Sequence, residues 1–170
     1  MICWAHPEFL TVTCLDWRPL LKEDKVKRII INSLEFLVIN QRAHVYSFVV
    51  MDTHFHLIWQ IIGENRRGDV QRDFLKFTAQ HILKELRNTK SAILDDLVVN
   101  SKDRKRQVWE RDSLGIPLWS NKVFAQKLDY IHMNPVVAGI CALPEDYTYS
   151  SAGFYFLNDN RWDFLTPANV

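Results

Sequence analysis

"AHVYSFVVMDTHFHLIWQII", residues 43–62, decides the fold. It consists of two β-rich runs, 43–52 and 53–62, and Asp52-Thr53 are suited to turn one into the other as a hairpin. Strand side chains alternate, so His54 and His56 point to one face and Phe55 to the other. A dry core strand has no use for two neighbouring imidazoles. Two readings stay open from the pair itself: half-exposed polar residues on a solvated face, or a pair able to hold a divalent metal.

The flanking chain supplies the rest of a sandwich. "EFLTVTCLDW" (8–17) is apolar and β-branched, a first strand. Residues 21–41 predict a helix, with Val26, Ile30, Leu34 and Leu37 at helical spacing. Residues 68–88 predict a second, with Leu75, Ala79, Ile82 and Leu86 as its core stripe. Arg72, Lys76, Gln80 and Lys84 form a separate polar stripe. "SKDRKRQVWERDS" (101–113) reads as a basic loop. Ser120 suits the N-cap of a third helix, "NKVFAQKLDYIHM". Pro135 should end or kink that helix near Asn134, because a residue before proline is pushed out of the α region. The aromatic tail, 144–165, should pack back on the body. Mixed helices and hairpin-linked strands predict an α+β sandwich with an antiparallel sheet, not a doubly wound parallel one.

Composition agrees. The chain has 170 residues, 48% hydrophobic and 24% charged, which suits one globular domain over 1–170 with a real core. A net charge of +1 leaves only local basic faces for nucleic acid. Cys3, Cys14 and Cys141 are odd in number and lack a CxxC spacing. Neither a disulfide framework nor a zinc–thiolate site is suggested, and a reducing cytoplasm fits. No signal peptide is read at the N-terminus, and no apolar run approaches the ~20 residues of a membrane helix. Two enzyme readings of the histidines fall away. A histidine-triad hydrolase wants a third alternating histidine where Ile58 stands, and an amidohydrolase needs a barrel of about 250 residues.

"KLDYIHMNPVVAGICALPEDYTYSSA" (127–152) narrows the choice. It carries Tyr130, Asn134-Pro135-Val136, Ala138-Gly139, Pro144-Glu145-Asp146-Tyr147 and Ser150-Ser151, with "VWERD" (108–112) upstream. Together with His54-Phe55-His56, this pattern resembles the HUH-superfamily single-tyrosine transposases, and among them the REP-associated tyrosine transposases. The resemblance covers roughly residues 6–155. It departs at Asp52-Thr53, where the family often has Pro-Asn or Ser-Asn, and at Val137, where it often has Lys or Arg.

The resemblance implies a ferredoxin-like sandwich with the histidines on a central antiparallel strand. It implies Tyr130 as nucleophile toward single-stranded or hairpin DNA, through a 5′-phosphotyrosine. It also implies Mg²⁺ or Mn²⁺ held by His54, His56 and Asn134, in a monomer or homodimer. The alternative is a non-catalytic DNA-binding protein on the same scaffold. Asn134 lies one helical turn after Tyr130 and shares its face.

Other assignments come from the residues alone. Lys127, one turn before Tyr130, is placed to meet phosphate or the phenol. Two basic groups are candidates for the DNA backbone: Arg66, Arg67, Arg72 and Lys76, and then Lys102, Arg104, Lys105, Arg106 and Arg111. Trp109 is a candidate for base stacking. His132 reads as surface, Tyr46, Tyr147 and Tyr149 as packing, and Asp52 as a turn residue or as support behind a histidine.

Overall fold

The computed structural model describes residues 6–102 and 104–168. Four strands form one antiparallel sheet in the order β2-β3-β1-β4: β1 (Glu8–Thr13), β2 (Ala43–Val50), β3 (His54–Ile61) and β4 (Leu114–Pro117). Helix α1 (Asp24–Ile39) joins β1 to β2, and α2 (Arg67–Asn88) with the short α3 (Ile93–Asp96) leads from β3 to β4. This β-α-β-β-α-β order is the ferredoxin-like arrangement. The hairpin expected at Asp52-Thr53 is present, and β3 is a central strand.

Alternation divides the sheet. Leu10, Val12, Phe55, Leu57 and Trp59 face α1 and α2 and join one large buried cluster with Val26, Ile30, Leu34, Phe74 and Ile82. Each such fully buried side chain contributes on the order of 1.5–3 kcal/mol. Helix α2 buries Ile82 and Leu86 of its predicted stripe, but its first half is shifted by one residue. Val70, Phe74, Thr78, Ile82 and Leu86 are buried, while Leu75 and Ala79 only flank the core. Apolar residues at both 74–75 and 78–79 leave the phase of the stripe ambiguous until the partner face is known.

The opposite face carries Phe9, Thr11 and Thr13 beside Ile58, His56 and His54, paired across β1 and β3 in that order. Helix α4 (Asn121–Val137) covers this face through Phe124, Leu128 and Ile131. Ser120 caps it as expected, its hydroxyl accepting from Val123 N–H at 3.3 Å. The helix does not stop at Asn134. It runs a further turn through Pro135 because the sequence after it makes a C-cap. Gly139 takes φ +73°, and the N–H groups of Gly139 and Ile140 donate to the carbonyls of Val136 and Pro135, each at 2.9 Å.

The tail packs back, along the free edge of β2. Val50 and Ser151 donate to Tyr149 and Phe48, both at 2.9 Å, and Tyr147 Oη donates to the Val50 carbonyl at 2.8 Å. An edge strand that would template association is thereby covered. Asp52 is not behind a histidine. It accepts from the buried Lys27 Nζ at 2.6 Å, and the same ammonium donates to the Leu21 and Lys22 carbonyls. Among the described residues no helix is long and apolar enough to cross a membrane.

Candidate active site

Where α4 crosses the end of β3, the two histidines, Asn134, Tyr130 and Lys127 come together. The imidazole centroids of His54 and His56 lie 4.8 Å apart. Each ring is held at Nδ1 by a threonine hydroxyl: Thr53 at 3.0 Å for His54, and Thr11 at 2.8 Å for His56. With Nδ1–H donating to the hydroxyl oxygens, each Nε2 carries the ring's lone pair. His56 Nε2 is buried and has no hydrogen-bond partner in the fold. A buried, orphaned nitrogen in a polar setting calls for a ligand. Thr11 was missed at the sequence level, since a lone threonine gains meaning only from its cross-strand pairing with His56.

Electrostatics keep the pair neutral. Burial, then the neighbouring His54 and Lys127 charges, push His56 down to about 3. Burial also lowers His54, opposed by its side-chain hydrogen bond with Asn134. Neutral imidazole is the form that binds metal. Among the described residues no three His, Cys, Asp or Glu side chains gather, so a third protein donor here has to be a neutral oxygen. Asn134 occupies that place. Two imidazoles and one amide fit a divalent cation that keeps its full charge and completes its shell with an anionic oxygen from outside the protein.

Tyr130 is half exposed, and its ring meets His56 at 5.2 Å and Phe9 at 5.9 Å, both edge-on. Lys127 Nζ sits 4.6 Å over the Phe9 ring and 5.6 Å from the Tyr130 ring. One chain therefore brings the whole constellation together. Phe9, which stacks on His56 at 5.4 Å, is a further residue that sequence reasoning missed.

Of the remaining DNA-contact candidates, two lie away from this site. Arg72 and Lys76 are on α2, against the other face of the sheet, and Arg72 is paired with Asp69 at 2.8 Å and Asp73 at 3.0 Å. Those carboxylates, the Asp73 hydrogen bond first, raise the Arg72 pKa and occupy its fork. Trp109 cannot stack on DNA. It is 6% exposed, packs on Phe55 and donates Nε1–H to Leu75 O and Thr78 Oγ1. Its segment reads as a charged loop yet pairs with the end of β1, Leu15 N–H donating to Val108 O and Glu110 N–H to Thr13 O, both at 2.8 Å. Arg106 donates to the Leu94 carbonyl at 3.0 Å, which spends part of its guanidinium on the fold. Arg104 and Lys105 are exposed.

His132 is not a surface residue. It is 2% exposed, with Nε2 at 2.9 Å from Ser151 Oγ and 3.4 Å from Ser47 Oγ, and burial lowers its pKa to about 4. It ties α4 to β2 and the tail on the side away from Tyr130.

No family model and no curated protein matches the chain. Among solved structures, the fold is similar to that of a REP-associated tyrosine transposase bound to a REP hairpin. The TM-score is 0.63 at 16% sequence identity, over 95% of this chain and 82% of that one. A proposed transposase from Deinococcus radiodurans R1 gives a TM-score of 0.48 at 14% identity, over 73% of this chain and 87% of that one. The first likeness shows the fold.

Proposed function

We propose that the protein is a metal-dependent single-stranded DNA endonuclease and strand transferase of the HUH single-tyrosine type, acting beside hairpin DNA. The observation that carries this reading is the meeting of Tyr130 with the buried, unpartnered His56 Nε2 in a neutral His54–His56–Asn134 donor set. A divalent cation, Mg²⁺ or Mn²⁺, held by those three side chains would withdraw charge from the scissile phosphate.

The chain's own residues do the rest. Tyr130 Oη forms a bond to phosphorus, the P–O3′ bond breaks, and the product is a 5′-phosphotyrosine and a free 3′-OH. The phenolic proton leaves to water, open at the half-exposed ring, and the departing 3′ oxygen takes a proton from water. Reversal of the same step rejoins a strand. Lys127 adds positive charge beside the nucleophile. Tyr130 and the histidines come from one chain, so a monomer can complete the site. The likeness to a hairpin-bound transposase supports DNA as the substrate class.

The test is a covalent adduct. Hairpin oligonucleotides with randomised single-stranded flanks, labelled at the 3′ end, are incubated with Mn²⁺ or with EDTA and resolved on a denaturing gel. Wild type should give a metal-dependent adduct that Tyr130→Phe loses entirely. DNA binding with no adduct in wild type would replace this reading with a non-catalytic binding protein.

A further inference from the structure

Trp17 is unexplained by the fold and lies beside the site. It is 62% exposed, and its indole meets the His54 ring edge-on at 5.5 Å. Asp16 and Trp17 both adopt left-handed backbone, φ 53° and 56°, which non-glycine residues rarely take. The turn that holds them is fixed on every side. Trp17 N–H donates to Cys14 O at 2.9 Å, Arg18 N–H to Leu15 O at 3.1 Å, and Asp16 N–H to Glu110 Oε1 at 2.6 Å. The Arg18 guanidinium bonds Asp96 at 2.8 Å. Backbone strain that the surroundings hold in place is characteristic of ligand clamps. Here its effect is to present a large aromatic ring to solvent next to a candidate metal ligand.

We propose that Trp17 is a stacking platform for the unpaired nucleobase adjoining the phosphate at the His54–His56 site; the inference rests on the DNA reading above. An indole face accepts any base, because every base has a π-face. The turn's cation, Arg18, is spent on Asp96 at 2.8 Å and Asp16 at 3.9 Å, and Glu110 adds a further carboxylate, so the ring is suited to a base and not to the backbone. Phosphate is left to the neutral histidines and Lys127. Base and phosphate are thus separated across His54, which would set the position of cleavage relative to a stacked base. The rival account is that the ring only shields His54 from water.

The experiment uses the full chain in a Tyr130→Phe background with Mn²⁺, so that binding is read without cleavage. The probes are hairpins with randomised single-stranded flanks containing iododeoxyuridine, blunt hairpins of the same stem, and flanked hairpins with abasic positions. Photo-crosslinks should map to Trp17. Trp17→Ala should weaken binding of the flanked hairpin about tenfold, Trp17→Phe much less, and blunt hairpins not at all. An abasic nucleotide at the crosslinked position should erase the difference between wild type and Trp17→Ala. Trp119→Ala is the control, equally exposed but beside His6 at the other end of β1. Crosslinks that avoid Trp17, or a Trp17→Ala loss that persists on abasic DNA, overturn the inference while leaving the DNA reading intact. If the parent protein binds neither hairpin, the DNA reading falls and takes the inference with it. The crosslink map and Trp17→Phe carry the test if Trp17→Ala does not fold.

Discussion

Leu57 and His56 are adjacent in one strand and belong to different worlds. Leu57 is fully buried between Leu10 and Phe48, on the face that α1 and α2 close. His56 is almost as buried, yet it sits among hydroxyls, imidazoles and a lysine on the face that α4 only partly covers. The same backbone hydrogen bonds hold both. The difference teaches that this sheet separates its tasks by parity at its His54 end: alternate residues supply cohesion and those between supply reactive groups, while farther along the same face Phe9 and Ile58 close against α4. A charge or an orphaned lone pair is tolerable on the second face because the first has already secured the strand.

That division can be broken from either side. Leu57→Ala should have the largest effect on stability, a loss of about 3–4 kcal/mol seen as a lower urea midpoint, with the adduct chemistry unchanged in protein that remains folded. The buried His132 gives the next effect, in acid. Its folded pKa of about 4 lies below the ordinary 6.5, so the unfolded chain binds more protons between those values. Its contribution is present above pH ~6.5 and lost as pH falls toward ~4. Across that window wild type should lose on the order of 3 kcal/mol more than His132→Gln, measured as unfolding free energy against pH. His56 titrates in both proteins and cancels. Smallest in stability is Thr11→Val, which keeps the shape and removes the hydroxyl from His56 Nδ1. A loss of about 1 kcal/mol is expected, but with metal-dependent adduct formation down on the order of 10–100-fold. If Thr11→Val instead proved as destabilising as Leu57→Ala, the two faces would not be specialised.

Legibility followed the range of the interaction. The hairpin, the shared face of His54 and His56, and the turn-by-turn spacing of Lys127, Tyr130 and Asn134 are local periodicities, and the fold keeps all of them. Trp109 and His132 depended on residues far along the chain. Trp109 is buried because its charged segment pairs with the end of β1, which no local pattern of "KRQVWERD" announces. His132 does point away from Tyr130, as helical geometry requires, but the tail places Ser151 there and turns an expected surface into a core. Pro135 forbids only its own backbone donation; Gly139, four residues on, decides where the helix ends.

The register of β2 slips between Val45 and Ser47, and Tyr46 and Ser47 both face α4, one on Phe124 and the other on His132. The strand thus carries one residue more than its pairing needs. In an ordinary strand a single deletion turns every later side chain inside out. Here the loss of Tyr46 would leave Ala43, Val45, Phe48 and Val50 all still directed into the core, at the expense of that tyrosine's own contacts. The middle of this strand can lose one residue without inverting the molecule.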